Sequence, residues 1–98
     1  MSYFMVEIEL SGSFTQPFIN KIPQQRQVIN ELMTQQKIAS YSLSEDRTRL
    51  WVVVMANDEY QVMDILSKFP LVDYMKPKIF ELMFHNAAIF NVPSFSLN

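Results

Sequence analysis

Residues 3–10 alternate strictly between positions that are always apolar and positions that are apolar or charged. One side of this segment is apolar throughout and consists of Phe4, Val6, Ile8 and Leu10, whereas the other side carries Tyr3, Met5, Glu7 and Glu9. A period of two is typical of a β-strand that buries one face. We therefore predict a strand over Tyr3–Leu10, ended by the turn residues that follow it.

A helical period replaces the alternation in the next segment. Pro23 suits the first turn of a helix, and apolar residues follow it at helical spacing, namely Val28, Ile29, Leu32 and Met33. We predict a helix from Pro23 to about Gln36. Whether residues 17–22 form a separate helical turn stays open, because the proline interrupts the pattern.

Two more strands are predicted in the middle of the chain, over Ile38–Ser44 and Leu50–Ala56. The polar residues 45–49 between them contain no glycine, so we expect a type I turn or a longer loop. The second of these strands is apolar on both faces, which indicates a central strand.

A second helix and a last strand complete the pattern. Asn57 or Asp58 can cap a helix over Glu59–Lys68, for which we predict an inner face of Tyr60, Met63 and Leu66. The last strand is predicted over Met75–Phe84, with a proline near its start that suits the edge of a sheet.

The element order β-α-β-β-α-β is that of the ferredoxin-like fold. We predict an α+β sandwich over residues 1–86, with a four-stranded antiparallel sheet and two helices on one face. The other face would carry apolar residues that need cover, namely Met5, Trp51, Ile79 and Met83. A second copy of the chain is the simplest cover, so we expect a dimeric α/β barrel. The apolar residues 87–98 are expected to form an arm packed on their own or on a neighbouring subunit.

Composition narrows the function. The net charge is −2 without any run of basic residues, which argues against nucleic acid as a partner. The 98 residues include no cysteine and one glycine, which excludes thiolate chemistry and a glycine-rich phosphate loop. No signal peptide or membrane span is visible, so a cytoplasmic protein is expected. We expect no cofactor and no metal, and a small molecule as the ligand.

His85, the single histidine, is the first candidate for proton chemistry because its ordinary pKa lies near neutrality. Strand parity would place it on one face with Glu81, and the antiparallel first strand could bring Glu7 close to that glutamate. Crowded carboxylates raise one another's pKa, as a general acid or base requires. The alternative is that these residues are a strand end and rim charges.

Strand two and its turn supply candidates for ligand binding. Tyr41 and Ser42 offer hydroxyl groups, although such positions are often simply a solvated edge. Arg47 could hold a carboxylate through a two-pronged hydrogen bond, although a charged turn is often only solvated.

Several segments resemble the muconolactone Δ-isomerase family: residues 3–10, 31–37 and 69–75, and the pair Leu82 and His85. The resemblance implies a cofactor-free homo-oligomeric barrel that moves a proton and a double bond in an unsaturated lactone during aromatic catabolism. If the protein is an enzyme of this kind, we expect His85 and a glutamate to be the acid and base, and Tyr41 or Arg47 to orient the substrate.

The sequence also departs from that family's pattern. Strand two, over residues 38–43, lacks the tryptophans and arginine of the family, and Glu7 replaces a basic residue. Two alternatives to an isomerase therefore stay open. One is a binding protein that has lost its catalytic site, and the other is a cofactor-free oxygenase of the same barrel class.

Overall fold

The computed structural model describes residues 1–12 and 15–88. In these residues the elements are β1 (Ser2–Leu10), α1 (Gln16–Thr34), β2 (Ile38–Leu43), β3 (Arg49–Ala56), α2 (Glu59–Leu66) and β4 (Met75–Glu81), with one 3₁₀ turn at Val72–Tyr74. The described strands form one antiparallel sheet in the order β2-β3-β1-β4. The predicted ferredoxin-like α+β fold is confirmed.

The core lies between the helices and one face of the sheet. Its strand residues include Phe4, Val6 and Ile8 of β1 and Leu50, Val52, Val54 and Ala56 of β3. Removing each large apolar side chain from water contributes about 1.5–3 kcal/mol to the free energy of folding. The alternation predicted for β1 and the central place predicted for β3 are therefore confirmed.

Helix α1 begins earlier than the sequence predicted. It starts at Gln16, with Pro17 in its first turn, and Pro23 lies inside it. Pro23 has no N–H to donate to the carbonyl of Ile19, which costs the helix one hydrogen bond. Phe18 before the proline and Ile29 after it are both buried, so packing of the two halves outweighs that loss.

Helix α2 turns a different face to the core from the predicted one. Asp58 caps it by accepting a hydrogen bond from the Gln61 backbone N–H at 2.8 Å. Its buried residues are Val62, Ile65 and Leu66. Tyr60 is 88 % exposed and Met63 is 47 % exposed, so the predicted stripe was wrong for both of these residues. The sequence of α2 contains two overlapping apolar stripes, and packing against the sheet determines which of them is buried.

Strand β4 ends at Glu81, three residues before the predicted end. Ile79 pairs with Val6 and packs against the core, so it lies on the helix-covered side. Met83 lies beyond the strand and is 97 % exposed. The prediction that both residues belong to the uncovered side of the sheet was therefore wrong.

The side of the sheet away from the helices is here named the open face. By register, it carries the apolar residues Met5, Trp51, Val53, Met55 and Phe80. Neither described helix covers it, and Phe80 is 47 % exposed. The predicted C-terminal arm lies outside the described residues from position 89 onward. Neither helix of the described part combines the length and the apolarity needed to cross a bilayer.

Candidate functional site

A pocket of about 300 Å³ lies between α1 and the end of the sheet where β2 turns into β3. This size is at the small end of the range of about 300–1,000 Å³ for ligand pockets. Its apolar lining consists of Leu10, Phe18, Ile19, Ile22, Leu43, Leu50 and Leu71, and its polar lining consists of Gln25, Arg26, Tyr41 and Arg47. We name this cavity the Tyr41 pocket. An apolar body with a few convergent polar groups is the usual design of a small-molecule site.

Gln25 is the buried polar residue of the pocket, with 3 % of its surface exposed. Its side-chain Oε1 accepts a hydrogen bond from the Leu71 backbone N–H at 3.1 Å. Its Nε2 donates to the Tyr41 hydroxyl at 3.3 Å. Because both ends of the amide have partners, the burial of Gln25 leaves no unmade hydrogen bond.

The Gln25 amide also fixes what the Tyr41 hydroxyl can do. The Leu71 N–H holds the amide oxygen, so the amide nitrogen faces Tyr41 and the phenol oxygen must accept. No described residue accepts the phenol proton, which leaves it available to a ligand. Burial raises the pKa of Tyr41 above its ordinary 10.0, although the hydrogen bond from Gln25 lowers it slightly. Tyr41 is thus a permanent hydrogen-bond donor at neutral pH.

Two arginines give the pocket a cationic rim. Arg26 comes from α1 and Arg47 from the turn between β2 and β3. Both are exposed, so they remain hydrated until a ligand arrives. A guanidinium group matches a carboxylate through parallel hydrogen bonds, which suits an anionic end of a ligand.

The structure brings together only part of the predicted ligand-binding set. Tyr41 and Arg47 both line the pocket. Ser42 pairs with Trp51 and therefore faces the other side of the sheet. Adjacent residues of a strand point to opposite faces, so Tyr41 and Ser42 cannot serve one site within a single chain.

The predicted meeting of Glu7 with Glu81 was wrong. Glu81 pairs with Phe4 on the helix-covered side, whereas Glu7 pairs with Lys78 on the open face. Glu7 instead forms a salt bridge with Arg49, at 2.7 Å between Oε2 and Nη1. The prediction failed because β4 pairs with β1 in a register that is one residue away from the one that would place Glu7 and Glu81 on the same face.

His85 lies beyond β4 and packs against Tyr3 with the two rings tilted, their centroids 5.3 Å apart. Tyr3 is near the start of β1, and Leu10 at the pocket is seven residues further along the strand. At about 3.3 Å per residue, these positions are roughly 23 Å apart. In a single chain His85 therefore lies far from the Tyr41 pocket, and its acid/base role stays a prediction.

Gln25 and Arg26 are the polar residues of the pocket that the sequence reasoning missed, and Gln25 is the buried one. It precedes Val28 and Ile29 by three and four residues, so it lies on the apolar stripe of α1. A polar residue on a core stripe is a signal that the sequence did contain. Its partners Leu71 and Tyr41 are 46 and 16 residues away, and nothing local predicts them.

Two other depressions are less suited to a ligand. One runs along the exposed side of α1 near Pro23 and Glu31 and opens widely to solvent. The other is a small apolar cleft of about 140 Å³ between α2 and β4, near Met63 and Pro77. Neither presents buried polar groups converging on one point, as the Tyr41 pocket does.

The fold and the pocket define a class of protein: a small ferredoxin-like domain whose described residues form a cavity between a helix and the sheet. The family model for muconolactone delta-isomerase matches residues 4–88. The chain belongs to this family. Among proteins with curated descriptions, the comparison finds none that matches it.

Proposed function

We propose that this protein binds a small unsaturated lactone acid in the Tyr41 pocket and acts on it as a cofactor-free isomerase. Membership of the muconolactone delta-isomerase family supports the lactone as ligand class. The observation that carries the proposal is the free proton of Tyr41, held in an apolar cavity beside two arginines. The lactone ring would lie on the apolar lining, and its carboxylate would bind at the arginine rim.

A double-bond shift in an unsaturated lactone needs no external oxidant or reductant. One carbon loses a proton, the electron pair spreads through the conjugated system to the carbonyl oxygen, and another carbon takes up a proton. Negative charge therefore develops on the carbonyl oxygen in the transition state. A preorganised donor at that oxygen stabilises the transition state more than the substrate, and Tyr41 would be this donor.

One observation favours a second candidate, binding without efficient turnover. Among the described residues that line the pocket there is no carboxylate and no imidazole. A positioned base typically contributes 10²–10⁴-fold to the rate of proton transfer. Gln25 is a neutral amide, so it cannot accept the proton. We therefore expect either slow isomerisation, with water as the proton acceptor, or binding alone.

Proton NMR in D₂O separates the two candidates, with muconolactone as the probe. Turnover would exchange a carbon-bound proton and move the double bond, whereas binding alone would broaden ligand signals without exchange. Tyr41→Phe should lower the rate about 10²-fold if the hydroxyl stabilises the enolate, as other oxyanion donors do. Absence of both binding and exchange in the wild-type protein would contradict the proposal.

Gln25→Glu provides a matched loss-of-function variant. Glutamate has the same shape, but both of its oxygens accept hydrogen bonds, from the Leu71 N–H and from the Tyr41 O–H, so the phenol proton is no longer available to the ligand. We expect weaker ligand binding and slower proton exchange than in the wild-type protein. Gln24→Glu, on the exposed side of α1, is the control and should leave the rate unchanged.

We also propose that a second copy of the chain covers the open face. The support comes from the apolar residues that the described helices leave uncovered, such as Trp51 and Phe80. They lie beside a charged region in which Glu7 and Glu9 alternate with basic residues of the neighbouring strands. A face with both signs of charge can complement itself across a two-fold axis.

A further inference from the structure

We propose that Asp46 is a positioning residue for ligand recognition, because it fixes the turn that presents Arg47 to the Tyr41 pocket. The consequence is a preference for lactones that carry a carboxylate over neutral lactones of the same ring. The inference rests on the proposed function for its ligand. Its structural part, the control of Arg47 by Asp46, stands on contacts within the turn.

A dense set of hydrogen bonds closes this turn around the Asp46 carboxylate. Oδ1 of Asp46 accepts from the Ser44 hydroxyl at 2.7 Å and from the Thr48 hydroxyl at 2.7 Å. The same oxygen accepts from the Thr48 backbone N–H at 3.0 Å. Together these donors lower the pKa of Asp46, so it is ionised at neutral pH. One exposed oxygen therefore joins residues on both sides of Arg47.

Backbone hydrogen bonds connect the turn to the pocket. The Arg47 N–H donates to the Ser44 carbonyl at 3.0 Å. The Leu10 N–H donates to the Thr48 carbonyl at 2.8 Å, and Leu10 is itself part of the pocket lining. The turn is thus tied to the end of β1 as well as to its own hairpin.

Arg47 has a backbone conformation that arginine rarely adopts. Its φ is 64°, in the left-handed region that favours glycine. Such a conformation persists only where surrounding contacts hold it, and it often marks a functional position. Here the Asp46 hydrogen bonds are those contacts, and the side chain that they hold in place lines the pocket.

The two arginines of this hairpin lie on opposite sides of the sheet. Arg49 begins β3 and forms a salt bridge with Glu7 on the open face. Arg47, two residues earlier, lines the pocket on the opposite side of the sheet. Without a fixed turn, the Arg47 guanidinium would have no defined position, and the pocket would have no defined cation from this hairpin.

Binding affinity for two probes tests the inference: muconolactone, and the parent unsaturated lactone without its acid group. Asp46→Ala should reduce the preference for muconolactone roughly tenfold, since it releases the charged hydrogen bonds that hold the turn. Asp46→Asn should keep most of the preference, because the amide oxygen can still accept them. Affinity for the neutral lactone should stay unchanged in both variants.

Control variants test whether the effect comes from the position of Arg47 or only from the loss of a charge in the turn. Glu45→Gln removes the same charge from the same exposed turn, and Arg49→Gln removes a guanidinium from the other face; both should keep the wild-type preference. Arg47→Gly suits the left-handed backbone and should reduce the preference at least as much as Asp46→Ala, with Arg26 retaining the remainder. An Asp46→Asn variant as damaged as Asp46→Ala, or an Asp46→Ala variant that keeps the preference, would overturn the inference.

A measurement without ligand tests the control of Arg47 by Asp46 separately from the proposed function. If neither lactone binds, the proposed function is contradicted, but this control can still be measured. The backbone amide resonances of Arg47 and Leu10 should move strongly in Asp46→Ala and little in Asp46→Asn or Glu45→Gln. Thr48→Val removes one of the hydroxyl donors and should shift the same resonances. If Asp46→Ala leaves both amides in place, Asp46 does not position Arg47.

Discussion

A single amide–phenol contact determines what the pocket can do. The Gln25 side chain leaves Tyr41 as a neutral donor in a cavity whose charged groups are the two arginines of its rim. A donor of this kind favours a ligand with a carbonyl or enolate oxygen, since with any other ligand the proton of the partly buried hydroxyl would have no acceptor. Residue-level chemistry therefore favours ligand recognition more clearly than it favours proton removal.

The raised pKa of Tyr41 predicts an alkaline dependence of stability. Its unfolded-state pKa is about 10.0 and its folded-state pKa is higher, because burial disfavours the phenolate. The unfolded state thus ionises first, so the free energy of unfolding should fall as the pH rises from about 10 through the folded-state pKa.

Ultraviolet titration of the tyrosinate band checks this expectation. Tyr41→Phe should remove a late-titrating component that remains in the exposed control variant Tyr60→Phe. A wild-type titration that loses no late component on Tyr41→Phe would contradict the burial argument.

At the scale of elements, the connection between α1 and β2 shows a helix end in which a residue other than glycine takes the left-handed conformation. Gln36 takes φ = 60° after the end of α1, where glycine is the common residue. The N–H groups of Gln36 and Lys37 donate to the carbonyls of Met33 and Leu32, which closes the helix. The connection therefore has the bonds of a glycine-type helix end but not its residue.

Replacing Gln36 by glycine should stabilise the protein by about 1 kcal/mol, because glycine adopts the left-handed conformation without steric cost. Gln35→Gly is the matched control: Gln35 has φ = −79°, so glycine there adds only entropy to the unfolded chain. That variant should be destabilised by roughly 0.5–1 kcal/mol. Chemical denaturation measures both, and equal effects of the two variants would contradict the explanation.

These elements also show what the sequence could predict. The strands β1 and β3 followed from their apolar patterns, because a buried face leaves a local record. The start of α1 and the register of β4 did not, since they involve contacts with distant residues, such as that of Phe18 with Tyr74 and that of Ile79 with Val6. In the site, Tyr41 and Arg47 were predicted, whereas Gln25 and the separation of His85 from the pocket required the fold.

At the scale of the whole molecule, the open face is the side of the sheet that the helices of the described residues leave uncovered. Its centre is apolar, with Val53 1 % exposed between partly exposed neighbours such as Met5 and Trp51. A sheet with helices on one side can bury its second face only against another layer. This geometry is the basis for the proposed second copy.

Phe80→Glu tests that assembly, because it places a charge within the proposed interface. We expect the wild-type protein to be a dimer or larger assembly in light scattering at micromolar concentration, and the variant to be monomeric. Tyr60→Glu introduces the same charge at an exposed aromatic residue on α2 and should leave the assembly intact. A monomeric wild-type protein would contradict the proposal.

The strand order has a consequence for how the chain is made. β1 lies between β3 and β4, so it pairs with segments that are synthesised much later, and Glu7 meets Lys78 only across most of the chain. Such distant pairing closes large loops and slows folding. Until β4 leaves the ribosome, one edge of β1 has no partner, and the nascent chain presents an open strand edge to its surroundings. The pairing of β1 is thus completed only after β4 has emerged, and we expect the demand for chaperones to last at least until then.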